Sequence, residues 1–190
     1  VGVGAMEIMY AAIAMGGKGS IVSCDIYPHK TALIENGAAR LGLTNITARQ
    51  QDASQVVPEW VDAMDTVIAD VPCSGLGIIR KKPDIRYKDL TQTEKLPRLQ
   101  MEILCRQAQY VKPGGVLLYS TCTLLERENG AVVQAFLKEH PEFEPAALPE
   151  MVQKACGIAD KQAWKVTLLP HKGQRAQTDG FFIATMKKVR

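Results

Sequence analysis

The stretch SIVSCDIYPHKTALIENGAARLGLTNITARQQD, Ser20 to Asp52, decides the fold class. SIVSCDI reads as a short, mostly apolar strand that ends on an acid, Asp25. In HKTALIENGAARLGL, the apolar residues Leu33, Ile34, Ala38 and Leu41 recur at helical spacing, and Gly42 follows as the terminator. ITARQQD is a second strand, ending at Asp52. A strand, a helix and a strand in immediate succession are the unit from which parallel sheets covered on both faces are built.

The same alternation continues outward. Upstream, VGVGAMEIMYAAIAMGGKG reads as a glycine turn, a helix from Ala5 to Met15 and a glycine stop. Downstream, DTVIAD is a strand ending at Asp70, Asp89 to Tyr110 reads as helix, and KPGG is the turn after it. VLLYSTC is a further buried strand and ERENGAVVQAFLKEH a further amphipathic helix. WKVTLLP and DGFFIATMKK close the chain as two strands joined by a polar loop, an antiparallel pair. The expected fold is α/β, a doubly wound, mostly parallel sheet. Residues 1–190 hold no repeat, low-complexity run or linker, and are expected to form a single domain.

A chain of 190 residues, 46% hydrophobic and 23% charged, is long enough to bury a sizeable core. Apolar runs such as VLLY and FFIAT are far too short to cross a membrane, and the amino terminus lacks the basic start of a signal peptide. The expectation is a soluble, cytoplasmic monomer without a membrane partner. Five cysteines in no paired pattern point to reduced thiols, and the absence of CxxC spacing argues against a metal site. The net charge of +3 and pI near 8.6 are too mild to identify a nucleic-acid partner, so that case rests on local charge.

In doubly wound sheets, ligands bind beyond the carboxyl ends of the strands. Asp25, Asp52, Asp70 and Cys122 all fall at or just past such ends. A carboxylate at Asp25 can accept both ribose hydroxyls of a nucleoside, and Asp52 at the next strand end can meet an adenine edge. Gly2 and Gly4, in VGVGA, are the only glycines available for close backbone approach to a cofactor at the start of the chain.

DVPCSG, Asp70 to Gly75, and STCT, Ser120 to Thr123, carry the strongest chemical signal. Carbon 5 of a pyrimidine attacks a methyl donor only after a nucleophile adds to carbon 6, and a thiolate suits that reversible addition. An acid beside N3 and the carbonyl stabilises the charge that develops, a role open to Asp70. Pro72 stiffens the turn that holds Asp70 and Cys73. A free cysteine taken alone is commonly a buried, inert thiol, and Cys24, Cys105 and Cys156 are read that way. Two cysteines at strand ends, both in polar turns, are a different case. Beside them Arg80, Lys81, Lys82, Arg86 and Lys88 are offset within their own segment only by Asp84, so they form a candidate grip on nucleic-acid phosphates.

These residues resemble the S-adenosylmethionine-dependent RNA cytosine-5 methyltransferases, most closely their 16S ribosomal RNA branch, the Sun or Fmu proteins. SCDIYPHK, ENGAARLGLTNI, DVPCSGLGIIRKKPDIRYK, VKPGGVLLYSTCTLLERENGAVV and LLPHKGQRAQTDGFFIATMKK match that family's motifs in its order, from Gly16 onward. The resemblance implies a Rossmann-like methyltransferase domain with S-adenosylmethionine as cofactor and RNA as partner. It implies that Cys122 adds to carbon 6 and Cys73 assists product release. Asp25 and Asp52 would contact the cofactor's ribose and adenine, and Asp70 would lie between cofactor and base. DNA cytosine-5 methyltransferases use the cysteine of a Pro-Cys motif instead, here Cys73; spacing leaves both assignments open, and only the resemblance favours Cys122.

Two departures accompany the resemblance. VGVGAM stands where the family carries a first strand and an Asp-x-Cys-Ala-Ala-Pro-Gly-Gly-Lys-Thr loop, so that strand, the cofactor loop and the family's amino-terminal RNA-binding domain are expected to be missing from this sequence. Tyr87 replaces a frequent tryptophan. The rival readings are a methyltransferase acting on tRNA or DNA cytosine, or a non-catalytic RNA-binding module without the cofactor loop.

Overall fold

The computed structural model describes residues 5–172 and 177–190. The candidate glycines Gly2 and Gly4 lie outside the described residues. The fold divides into two compact units, Val1–Val56 and Val57–Arg190.

The first unit is the strand–helix–strand element with a helix before it. It comprises α1 (Ala5–Ala14), β1 (Ile21–Asp25), α2 (Pro28–Leu41) and β2 (Ile46–Gln50). β1 and β2 are parallel, in register from Ile21 opposite Ile46 to Asp25 opposite Gln50. Pro28 opens α2, where its missing N–H costs nothing, and Gly42 closes it at φ +66°, donating to the carbonyls of Ala38 and Ala39. Thr31, Ile34 and Ala38 form the buried stripe of α2, and Met9, Ile34 and Ala38 make the small core with Ile21, Leu43, Ile46 and Ala48 around it. Leu33 and Leu41, expected on that stripe, are instead exposed. Leu33 sits well to one side of the line through positions 31, 34 and 38 at about 100° of turn per residue, and Leu41 is the last residue of the helix.

The second unit contains β3 (Met64–Asp70), α3 (Leu96–Ala108), β4 (Val111–Thr121), α4 (Gly130–Glu139), β5 (Phe143–Pro145), α5 (Glu150–Cys156), β6 (Lys165–Leu168), β7 (His171–Lys172), β8 (Gln177–Thr178) and β9 (Phe181–Lys188). Its sheet has the order β3-β4-β9-β5, with β6 also on β9. β3 and β4 are parallel, whereas β9 runs antiparallel to β4, β5 and β6. The α/β layout and the carboxyl-terminal antiparallel pair are as the sequence predicts. Tyr119 and Phe182 meet edge-on across β4 and β9, with centroids 6.2 Å apart, in a core that also buries Leu104, Leu117, Val133 and Phe136.

Three boundaries differ from expectation. KPGG does not precede β4 as a free turn but is a bulge inside it: Met64 faces Val111 while Thr66 faces Val116, and Gly114 takes φ +82°. The helix predicted from Asp89 is a 3-10 turn, Leu90–Thr93, capped by Asp89 Oδ1, followed by α3. Pro97 has no N–H to continue the earlier turn and starts a new helix. The helix predicted from Glu126 is likewise broken, into a 3-10 turn, Glu126–Glu128, and α4, because Asn129 between them takes φ −114° and ψ −105°, outside the helical region. β5 and α5 lie in a region to which periodicity assigned nothing. Among the described residues, no helix is long and apolar enough to cross a membrane.

Candidate active site

β3 and β4 end side by side. Asp70 lies opposite Ser120 in their parallel register, and Val71 N donates to Ser120 O at 3.2 Å. DVPCSG and STCT therefore leave the same edge of the sheet as adjacent turns. Ser120 Oγ donates to Asp70 Oδ1 at 2.9 Å, which fixes the half-buried carboxyl group.

Cys73 Sγ and Cys122 Sγ are 3.1 Å apart, and the backbone N–H of Cys122 donates to Cys73 Sγ at 3.3 Å. Both thiols are free and partly buried. Either sulfur can donate across this contact, and the pair carries its charge on Cys122 when Cys73 is the donor. The hydrogen bond from Cys73 draws the Cys122 thiol below the ordinary cysteine range, with a further contribution from the positive charge of Lys82. The same bond, together with burial, drives the Cys73 thiol far upward. The pair is therefore polarised, with the negative charge favoured on Cys122.

Two glycines in the motif have separate reasons. Gly75 takes φ +77°, which a side chain resists. Gly77 donates to Cys122 O at 2.9 Å, and a Cβ there would overlap Gly180 O and lie 2.8 Å from Cys122 O. Ser74 Oγ and Thr123 Oγ1 are joined at 2.6 Å, a direct link between the residues that follow the two cysteines. Glu128 accepts from Ser74 N, and Asn129 bonds both Thr121 and Thr123. None of Gln100, Glu128 and Asn129 was singled out from the sequence; the available signal was polar residues in ERENG and within the apolar stripe of α3.

Pro72 is exposed, and its carbonyl accepts from Gln100 Nε2 at 2.9 Å. The basic segment follows as short 3-10 turns, Leu76–Ile78 and Pro83–Tyr87. Arg80 and Lys81 reach Asp179 at 3.5 and 2.5 Å, a carboxylate far away in sequence that offsets their charge. Lys88 Nζ donates to Ser74 O at 3.4 Å, while Lys82 and Arg86 are exposed. Tyr87 stands beside them, 89% exposed.

In the first unit, Asp25 and Asp52 follow two adjacent parallel strands at the same sheet edge. Asp25 is buried; its Oδ1 accepts from Tyr27 N at 2.9 Å and its Oδ2 lies 3.3 Å from Lys30 Nζ. Asp52 is exposed, and its Oδ1 accepts from both the backbone N and Oγ of Ser54.

A family model described as 16S rRNA methyltransferase RsmB/F matches residues 7–187. The chain belongs to the RsmB/F family. This RsmB/F-family chain is 41% identical over 186 residues to the probable ribosomal RNA small subunit methyltransferase B of Bacillus subtilis, covering 94% of itself and 40% of that protein. It is 36% identical over 171 residues to the ribosomal RNA small subunit methyltransferase B of Thermus thermophilus, covering 89% of itself and 39% of that protein. Among solved structures it resembles NSun6 from Pyrococcus horikoshii with SFG, at a TM-score of 0.72 and 26% identity, over 97% of this chain and 45% of that one. The chain thus spans about two fifths of the length of these curated relatives. The family named from the motifs is the family matched, and it is a family of S-adenosylmethionine-dependent methyltransferases with a Rossmann-like fold.

Proposed function

We propose that this RsmB/F-family chain is the catalytic part of an enzyme that methylates carbon 5 of a cytosine in 16S ribosomal RNA through a covalent adduct on Cys122. The observation that carries this reading is the thiol pair, Cys73 Sγ and Cys122 Sγ at 3.1 Å, at the strand end that also carries the Asp70 carboxyl group. Such a pair provides one sulfur ready to add to a base and a second to follow it.

In this reading the Cys122 thiolate forms a bond to carbon 6, and the displaced electron pair is shared between carbon 5 and the ring's N3–carbonyl system. Asp70, held by Ser120, would stabilise the charge in that N3 and carbonyl region by a hydrogen bond, made by its own proton or by the N–H of the base. S-adenosylmethionine supplies the electrophilic methyl group that carbon 5 takes. A neighbouring base takes the carbon 5 proton, which re-forms the 5,6 double bond and breaks the bond from carbon 6 to Cys122 Sγ, and Cys73 helps release the product by donating a hydrogen bond to the departing sulfur. The departing sulfur returns as a thiolate to the place where Cys73 stabilised it.

The first unit fits the cofactor. Asp25 is a buried carboxylate at a strand end, oriented by Tyr27 N–H, and a carboxylate has more acceptor positions than the two bonds it makes here. Asp25 would hold the ribose hydroxyls and Asp52 the adenine edge. Lys82 and Arg86, with Arg80, Lys81, Lys88 and Pro72 around them, would contact the RNA backbone.

The test uses the full-length protein with unmodified 16S RNA, tRNA and duplex DNA in competition. The expected result is methylation of the ribosomal RNA, lost in Cys122→Ser. Cys73→Ser is expected to trap a protein–RNA adduct stable to a denaturing gel. A Cys122→Ser protein that methylates at near wild-type rate refutes the reading.

A further inference from the structure

We propose that Glu128 and Asn129 are positioning residues which together set the geometry of the two sulfurs, Glu128 holding the turn of Cys73 and Asn129 holding the turn of Cys122. The inference rests on the reading of Cys73 and Cys122 as one reactive pair.

Glu128 is fully buried, and Asn129 is 1% exposed. A buried carboxylate is costly unless hydrogen-bonded, and the bonds of Glu128 go to one place. Its Oε2 accepts from Ser74 N at 2.8 Å and from Gln100 Nε2 at 3.0 Å, while Gln100 Nε2 also donates to Pro72 O at 2.9 Å. The backbone groups on either side of Cys73, the carbonyl of residue 72 and the N–H of residue 74, are thus held by one pair of buried side chains.

Asn129 does the same for Cys122. Its Oδ1 accepts from Thr121 Oγ1 at 2.6 Å and its Nδ2 donates to Thr123 O at 3.0 Å, so it bridges the residues before and after Cys122. An asparagine at the start of a helix ordinarily caps it. Asn129 occupies the position before α4 yet makes no capping bond, because its side chain is given to the two threonines. A local rule of helix formation is broken here in favour of contacts that flank a reactive sulfur, and such exceptions gather at functional sites.

Because the two residues are consecutive, a single peptide fixes both turns, and Tyr119 Oη anchors that peptide to β4 by donating to Glu128 O at 2.6 Å. Glu128 Oε1 and Gln100 Oε1 are buried without a partner. Polar groups kept in a core under that penalty favour a role in placement over one in stability alone.

The test reads sulfur geometry without RNA or cofactor. Iodoacetamide alkylation of the full-length protein is followed against pH, with the modified cysteine located by mass spectrometry. The charged and titratable groups around the pair are Asp70 on β3, Tyr119 on β4, Lys82 and Lys88 in the basic segment, and Glu128, which accepts from Ser74 N. In wild type, Cys122 is expected to react first, with its inflection below that of an ordinary thiol. In Asn129→Ala and Glu128→Ala, the preference for Cys122 collapses and its rate at neutral pH falls about fivefold, the effect of losing one hydrogen bond. Glu128→Gln, which can still accept from Ser74 N, stays within about twofold of wild type. Thr121→Val removes the same Asn129 bond from the strand side at nearly constant volume, so it gives the reading even if an alanine variant fails to fold. Variants that unfold cooperatively and keep the wild-type profile overturn the proposal. Wild-type protein that methylates no RNA, with a Cys73→Ser variant that traps no adduct, overturns the methyltransferase reading instead, since the alkylation comparison does not depend on RNA.

Discussion

Cys122 donates its backbone N–H to Cys73 Sγ at 3.3 Å, so the sulfur that lies 3.1 Å from Cys122 Sγ is itself held by the residue it faces. That N–H by itself favours a thiolate at Cys73, but the bond between the sulfurs and the burial of Cys73 outweigh it. With Cys73 donating to the other thiol, negative charge is favoured on Cys122.

The direction has a pH consequence. A thiol lowered by a hydrogen bond ionises at lower pH than a free one, so alkylation of Cys122 in wild type persists as pH falls below the ordinary cysteine range. Cys73→Ala removes the donor and is expected to move the Cys122 inflection upward. Its alkylation rate at pH 7 should drop about fivefold and recover at high pH. An inflection that stays in place when Cys73 is removed would show that Lys82 or the backbone dominates.

Gly77 makes a steric prediction. A Cβ at this position meets backbone atoms, overlapping Gly180 O and approaching Cys122 O to 2.8 Å, and neither can rotate away. Gly77→Ala should cost about 2–3 kcal/mol in urea denaturation, as overpacking does. Gly157 is the control: its φ is +65° with nothing within 4 Å of a built Cβ, so Gly157→Ala should cost only about 1 kcal/mol of backbone strain. Equal losses would refute the steric reading of Gly77.

How much of this was legible before the structure depends on how far apart the interacting residues lie. The strand–helix–strand unit was readable because its signals are local: Ile34 and Ala38 are four residues apart on one helical face, and Gly42 terminates that helix by bonding carbonyls three and four residues back. The two cysteines could be placed at strand ends for the same reason. Their distance could not, because the parallel register that puts Asp70 opposite Ser120 joins residues fifty positions apart. Glu128 is fully buried and was not singled out from the sequence, since its partner Ser74 lies fifty-four positions away. The charge of Arg80 and Lys81 was overcounted because Asp179, which pairs with both, comes near the end of the chain.

Asp25 provides a separate test of the cofactor reading. S-adenosylhomocysteine, titrated calorimetrically into the full-length protein, is expected to bind in the micromolar range, near −8 kcal/mol. Asp25→Ala removes the buried strand-end carboxylate and should weaken binding at least about tenfold, roughly the 1.4 kcal/mol of one or two lost hydrogen bonds. Asp52→Ala should weaken it less, because Asp52 is exposed and its Oδ1 already serves Ser54. Unchanged affinity in Asp25→Ala would remove this residue from the cofactor site.

The pairing with Asp179 separates the cations of the basic segment. Each phosphate contact made by a lysine or arginine contributes about 0.7 to the slope of log affinity against log salt for single-stranded nucleic acid. Lys82→Ala and Arg86→Ala, which remove exposed charges, should each weaken RNA binding and flatten that slope by about 0.7. Arg80→Ala should have a smaller effect, because the guanidinium is 3.5 Å from a carboxylate that already competes for it. Asp179→Asn then provides the decisive sign: releasing Arg80 and Lys81 from their partner should tighten RNA binding about twofold to threefold and steepen the salt slope. If Asp179→Asn weakens binding instead, the ion pairs act by shaping the loop that carries the cations, and the charge of this segment is not the main source of its grip on RNA.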